Sequence, residues 1–255
     1  MTILYWLFIV FLITYEPIYG YADFQRFKLK VRSYPLERIS YYKKVMLGLW
    51  IPSLFIIGLI IFGPITLQDI GLQGITINPA ALGKWPTYIT LGLAVLYLVS
   101  ILYYVIGSKI SKKIKKNLSD AQKKQLETST FADILPVSKE DKKVWTLVSW
   151  TAGITEEIIY RGFLIFALTQ LFPNFTIWLT LVISSVFFGL AHTYQGIGNV
   201  IRTTLIGLFF AVLYIGLGSI IPLILFHFLV DYLAKIGDEA ADQTKFDDST
   251  NNIHL

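Results

Sequence analysis

Three short stretches of this chain put ionisable groups where the neighbouring residues are apolar. They read Glu156-Glu157-Ile158-Ile159-Tyr160-Arg161, Phe188-Gly189-Leu190-Ala191-His192 and His227-Phe228-Leu229-Val230-Asp231. On a helix, Glu157 and Arg161 lie four residues apart and share a face, which predicts an ion pair. That pairing leaves Glu156 on a neighbouring face without a local counter-charge, the position of a carboxylate free to act as a general base. His227 and Asp231 are also four apart. One can orient the other, or both can bind a substrate carbonyl. Amide hydrolysis needs a base to activate water, a second group that handles protons and a donor for the oxyanion. Glu156, His192 and His227 are of the types that supply these three.

Other hydrolytic designs fit the sequence less well. The chain has no cysteine, which removes thiol nucleophiles, thiolate metal ligands and disulfides. There is no H-E-x-x-H helix and no G-x-S-x-G elbow, and one aspartate inside an apolar segment does not make an aspartyl dyad. Two histidines and a glutamate are a known catalytic zinc set, so Glu156, His192 and His227 could hold zinc. Spread over three segments, that set is possible but does not decide between a metal and a metal-free mechanism. Phe188 is expected to pack, and His254, in the tail, to be inert.

The elements that must position these groups are long apolar segments. Of 255 residues, 55% are hydrophobic and only 15% charged, where a soluble domain carries about a quarter charged residues. The apolar content falls in runs that predict seven membrane-spanning helices, at about 2–19, 46–67, 87–107, 145–170, 175–193, 199–217 and 219–236. No repeated strand-like alternation argues for a barrel. The expected fold is therefore all-α: one polytopic membrane bundle over 1–237, with a catalytic core at about 145–235 and a disordered tail at 238–255. A charge at the centre of a span costs about 2.5–3.5 kcal/mol, and such groups usually face the bundle interior and carry function.

Basic residues fix the expected topology. Segment 20–45 holds seven Lys or Arg, segment 108–144 holds ten, and segment 68–86 holds one. Positive residues remain cytoplasmic, so both basic segments are expected inside, with the N-terminus outside and the C-terminus cytoplasmic. Segment 108–144 is expected to begin as a helical extension over Lys109–Leu126. The net charge of +5 follows from this topology and suits anionic lipid; it does not call for a nucleic-acid partner.

The three stretches together resemble the signature of the CAAX prenyl protease and bacteriocin-processing family, also called the Abi or glutamic intramembrane endopeptidase family. That signature is E-E-x-x-x-R, F-x-x-x-H, and H-x-x-x-N or H-x-x-x-D, matched here by Glu156-Glu157-x-x-x-Arg161, Phe188-x-x-x-His192 and His227-x-x-x-Asp231. The resemblance covers about residues 145–235. It implies a bacterial multi-pass membrane endopeptidase acting on a peptide or a C-terminal, prenylated CAAX-type protein. It also implies roles: Glu156 activates water, His192 assists, and His227 with Asp231 stabilises the oxyanion. Prenyl-processing members carry Asn where this chain has Asp231. An ionised Asp cannot donate to an oxyanion, so Asp231 is expected to orient His227 or to be protonated. Two other readings are a non-catalytic immunity or partner-binding membrane protein, and a proton-coupled transporter.

Overall fold

The computed structural model describes residues 1–236; the predicted tail and His254 lie outside the described residues. Those described are helical with no strand, as the patterning predicts. Helix α1 (Thr2–Thr14) passes through a π-helical turn at Tyr15–Gly20 into α2 (Tyr21–Val31). Pro17 lies in that turn, where its missing N–H interrupts the α ladder. The path stays helical well beyond the predicted end at residue 19. Helix α3 is Glu37–Phe62 and α4 is Lys84–Ile110.

The basic segment after α4 is not a simple extension of it. Ser111 turns to extended backbone, and its side chain accepts from Ile114 N to start a separate helix, α5 (Lys112–Thr128). Helix α6 (Lys139–Glu156) begins at a capping box formed by Ser138 and Asp141. It runs directly into an eight-residue π-helical segment, Glu157–Leu164, and then into α7 (Ile165–Leu171). Helices α8 (Ile177–Leu190), α9 (Ile197–Leu217) and α10 (Ile221–Tyr232) complete the bundle.

Four helical stretches, Thr2–Val31, Glu37–Phe62, Lys84–Ile110 and Ile197–Leu217, are long and apolar enough to cross a membrane. The fourth predicted span exists as a continuous helical path but carries charges. The fifth and seventh are shorter than expected. Their 14 and 12 residues extend about 21 and 18 Å, against a hydrocarbon core of about 30 Å. Site residues sit where these short helices end.

The two basic segments meet at one end of the bundle. Arg38 bonds Asp141 at 2.9 Å and the Asp133 carbonyl at 3.1 Å, while the Tyr42 hydroxyl donates to the Ile134 carbonyl at 2.6 Å. Phe24, Phe27, Val31, Tyr42, Ile134 and Val148 bury a small apolar cluster there. At the opposite end, the segment between α3 and α4 clamps the α9–α10 turn. Thr76 N donates to Leu217 O at 2.8 Å, and Gln73 Nε2 to Gly218 O at 2.8 Å.

Candidate active site

The site forms where α6, α8, α9 and α10 converge. Two glycines permit the approach. A Cβ on Gly153 would stand 2.9 Å from the Ile224 carbonyl and 3.1 Å from Phe228 N, so its absence lets α10 lie against α6. A Cβ on Gly189 would overlap the Thr204 hydroxyl and approach the Val200 carbonyl to 2.8 Å, so α8 lies equally close to α9. Without water to drive burial, close backbone packing at small residues is how membrane helices associate.

Glu157 opens the π-helical segment and is fully buried. Its Oε1 accepts from Arg161 Nη1 at 3.0 Å and from His227 Nδ1 at 2.7 Å. The first contact is the pair expected from spacing. The second joins residues 70 positions apart and changes the account of the third motif. Asp231, expected to orient His227 or to be protonated, stands beside it with Oδ2 3.6 Å from Nε2, while Glu157 makes the shorter contact on Nδ1. A carboxylate can only accept, so Nδ1 carries the proton and Nε2 faces Glu156 Oε2 at 3.8 Å and Asp231 Oδ2.

Glu156 is the last residue of α6, one position before the π-helical register begins. Its Oε2 is buried with no hydrogen-bond partner among the described residues, as are Glu157 Oε2 and Arg161 Nη2. His192 was expected inside the fifth span. Helix α8 ends at Leu190, and His192 instead opens the turn that follows. Its Nδ1 lies 2.8 Å from the Phe188 carbonyl. A carbonyl accepts only, so Nδ1 is the protonated nitrogen and Nε2 keeps a lone pair.

Phe188 does more than fill space. The Arg161 guanidinium carbon lies 4.1 Å from the Phe188 ring centre and 5.2 Å from that of Phe210. A cation held between aromatic faces, inside a desolvated bundle, gains on the order of 2 kcal/mol. Phe210 was not singled out from the sequence, because a lone phenylalanine in an apolar span carries no signal. Tyr194 was missed for the same reason; its ring lies 6.1 Å from that of His192. Tyr194 sits in the turn after α8, and burial pushes its phenol above the ordinary value, so it remains protonated.

Glu156, His192, His227 and Asp231 line one cavity of about 270 Å³, which also reaches Arg161, Phe188 and Phe210. Liquid water occupies about 30 Å³ per molecule, so the cavity is large enough for water beside a small part of a chain. Among the described residues, no three His, Cys, Asp or Glu side chains are grouped so as to hold a metal ion.

Residues 142–233 match the family model described as type II CAAX prenyl endopeptidase Rce1-like. The match is a similarity over that segment alone. No curated protein and no solved structure shows a detectable match to the chain. The Rce1-like segment coincides with the run from the first turn of α6 to the end of α10, and contains all three motifs. Helices α1 to α5 lie outside the match.

Proposed function

We propose that this chain is an intramembrane endopeptidase that cleaves a peptide or a C-terminal, CAAX-type protein by glutamate-activated water, without a metal. The observation that carries the reading is the gathering of Glu156, His192, His227 and Asp231 on one cavity inside an Rce1-like helical segment.

Each group has a task that its surroundings allow. Glu156 takes a proton from a water in the cavity, and the oxygen left behind attacks the scissile carbonyl carbon. His192, with its Nδ1 proton engaged by Phe188, offers Nε2 to the same water and holds its second hydrogen. His227, when protonated on Nε2, donates to the oxyanion that develops. Glu157 fixes the plane of that imidazole through Nδ1, and Phe188 and Phe210 fix the cation that holds Glu157. On collapse, the C–N bond breaks and the proton on Glu156 passes to the leaving amine.

Purified protein in detergent, given a prenylated CAAX-type peptide with a fluorescent reporter, tests this directly. Glu156→Gln keeps the shape and the hydrogen-bonding capacity of the side chain but cannot take the proton. Loss of a general base costs about 10²–10⁴-fold in rate, and this variant is expected at or beyond the upper end. Full activity of Glu156→Gln would sink the mechanism, and no cleavage by the wild type would favour the partner-binding reading. Inhibition by chelator that zinc reverses would instead make Glu156, His192 and His227 ligands.

A further inference from the structure

The cavity wall formed by α9 has a feature that the hydrolytic chemistry leaves unused. Asn199, Arg202, Thr203, Ile206 and Phe210 all line the cavity, and their spacing of three, four and seven residues places them on one helix face. The wall is polar toward the N-terminal end of α9 and apolar toward Phe210. Arg202 is the one charged residue of this helix. Arginine within a membrane helix is costly and is usually retained for function.

Arg202 makes no hydrogen bond or ion pair among the described residues. The other arginine of the cavity, Arg161, is buried against Glu157. The neighbouring polar groups are already engaged: Asn199 Nδ2 donates to the Gln195 carbonyl at 3.0 Å and Thr203 Oγ1 to the Asn199 carbonyl at 2.7 Å. Arg202 is thus the exposed cation on that wall. Helix α9 also starts without a side-chain cap, so the positive end of its macrodipole reinforces the same sign of charge. A planar guanidinium with free donors is suited to bidentate recognition of a carboxylate.

Position along α9 gives the geometry. Phe210 stands at the level of the chemistry, its ring 6.0 Å from that of His227. Arg202 is eight residues earlier, about 12 Å along the helix axis. An extended chain covers about 3.3–3.6 Å per residue, so about three or four residues separate the two levels.

We propose that Arg202 is the specificity-determining residue of this cavity, taking the free C-terminal carboxylate of the substrate so that the bond presented to Glu156 lies a few residues from the chain end. The inference rests on the endopeptidase reading for its consequence, but the binding it describes can be measured without turnover. It also separates the two substrate types named above, since a bond far inside a peptide has no terminal carboxylate nearby.

The test compares one prenylated CAAX-type peptide in two forms, with a C-terminal carboxylate and with a C-terminal amide. Charge-assisted hydrogen bonds of this kind are worth a tenfold to hundredfold effect, roughly. For the wild type, kcat/KM is expected to favour the acid by that factor. In Arg202→Gln the ratio is expected to fall to about one, and in Arg202→Lys to recover in part. The same ratio is read as binding, by fluorescence anisotropy, on wild type and on Glu156→Gln. Binding of the acid that depends on Arg202, with no cleavage by the wild type, supports this inference and removes the endopeptidase reading. Cleavage with equal use of acid and amide by the wild type overturns the inference and leaves that reading standing. An unchanged acid preference in Arg202→Gln overturns it too. So does an Arg202→Gln defect that follows anionic lipid content in vesicles and not the peptide terminus, which would assign Arg202 to a lipid phosphate.

Discussion

Glu157 serves two cations' worth of donors with one oxygen, Arg161 on its own helical segment and His227 from α10. Removing its charge therefore has two separable effects. Glu157→Gln leaves Arg161, 1% exposed, without an anion, and breaking a buried pair in this way costs about 3–5 kcal/mol. The yield of folded protein in membranes is expected to fall sharply. The double change Glu157→Gln with Arg161→Met removes the stranded charge and is expected to restore much of the yield. It is not expected to restore activity, because His227 still lacks its charged acceptor. If Glu157→Gln accumulates at wild-type levels, the ion pair carries no folding load. If the double variant cleaves peptide normally, the orientation of His227 does not depend on Glu157.

At the scale of elements, the site depends on how closely α6 and α10 approach. Gly153→Val adds a Cβ and two methyls against the backbone of Ile224 and Phe228. The chain must separate the helices there, which moves His227 away from Glu157. A loss of more than about 10²-fold in activity is expected, in line with the sensitivity of catalysis to ångström displacements, with a smaller loss of yield. Retention of full activity would mean that α10 can shift without disturbing the site. The start of α6 offers a contrasting case. Ser138→Ala removes the capping box at Asp141, worth about 1 kcal/mol. It is expected to lower the thermal midpoint by a few degrees and to leave kcat near its normal value, since the cap lies five turns before Glu156.

Across the whole molecule, charge and chain path make one consistent arrangement. The basic segments 20–45 and 108–144 touch through Arg38, Asp133 and Asp141, so they occupy the same end of the bundle. The segment joining α3 and α4 occupies the other. The distribution of Lys and Arg predicts that the first end is cytoplasmic. Because the chain has no cysteine, single substitutions report this without interference. In intact cells, Lys116→Cys is expected to resist an impermeant thiol reagent and Gly74→Cys to react with it. The reverse pattern would invert the topology.

The sequence alone determined the class of fold and the list of groups that converge. Apolar runs of bilayer length need no tertiary information to be read as helices, because each backbone bond is satisfied within its own segment. The Glu157–Arg161 pair was equally legible, since a spacing of four fixes neighbours on a helix. What only the tertiary structure decided were the relations between segments. The Glu157–His227 bond joins two helices whose approach depends on Gly153, and nothing local to either motif encodes it. Spacing places Asp231 beside His227 on one helix, as it stands at 3.6 Å, but does not show the shorter contact that Glu157 makes from another. The guanidinium between Phe188 and Phe210, the turn that carries His192 beyond the end of α8, and the unengaged Arg202 on the cavity wall were hidden for the same reason. In an apolar span, periodicity shows which residues share a face, but only packing shows what that face meets.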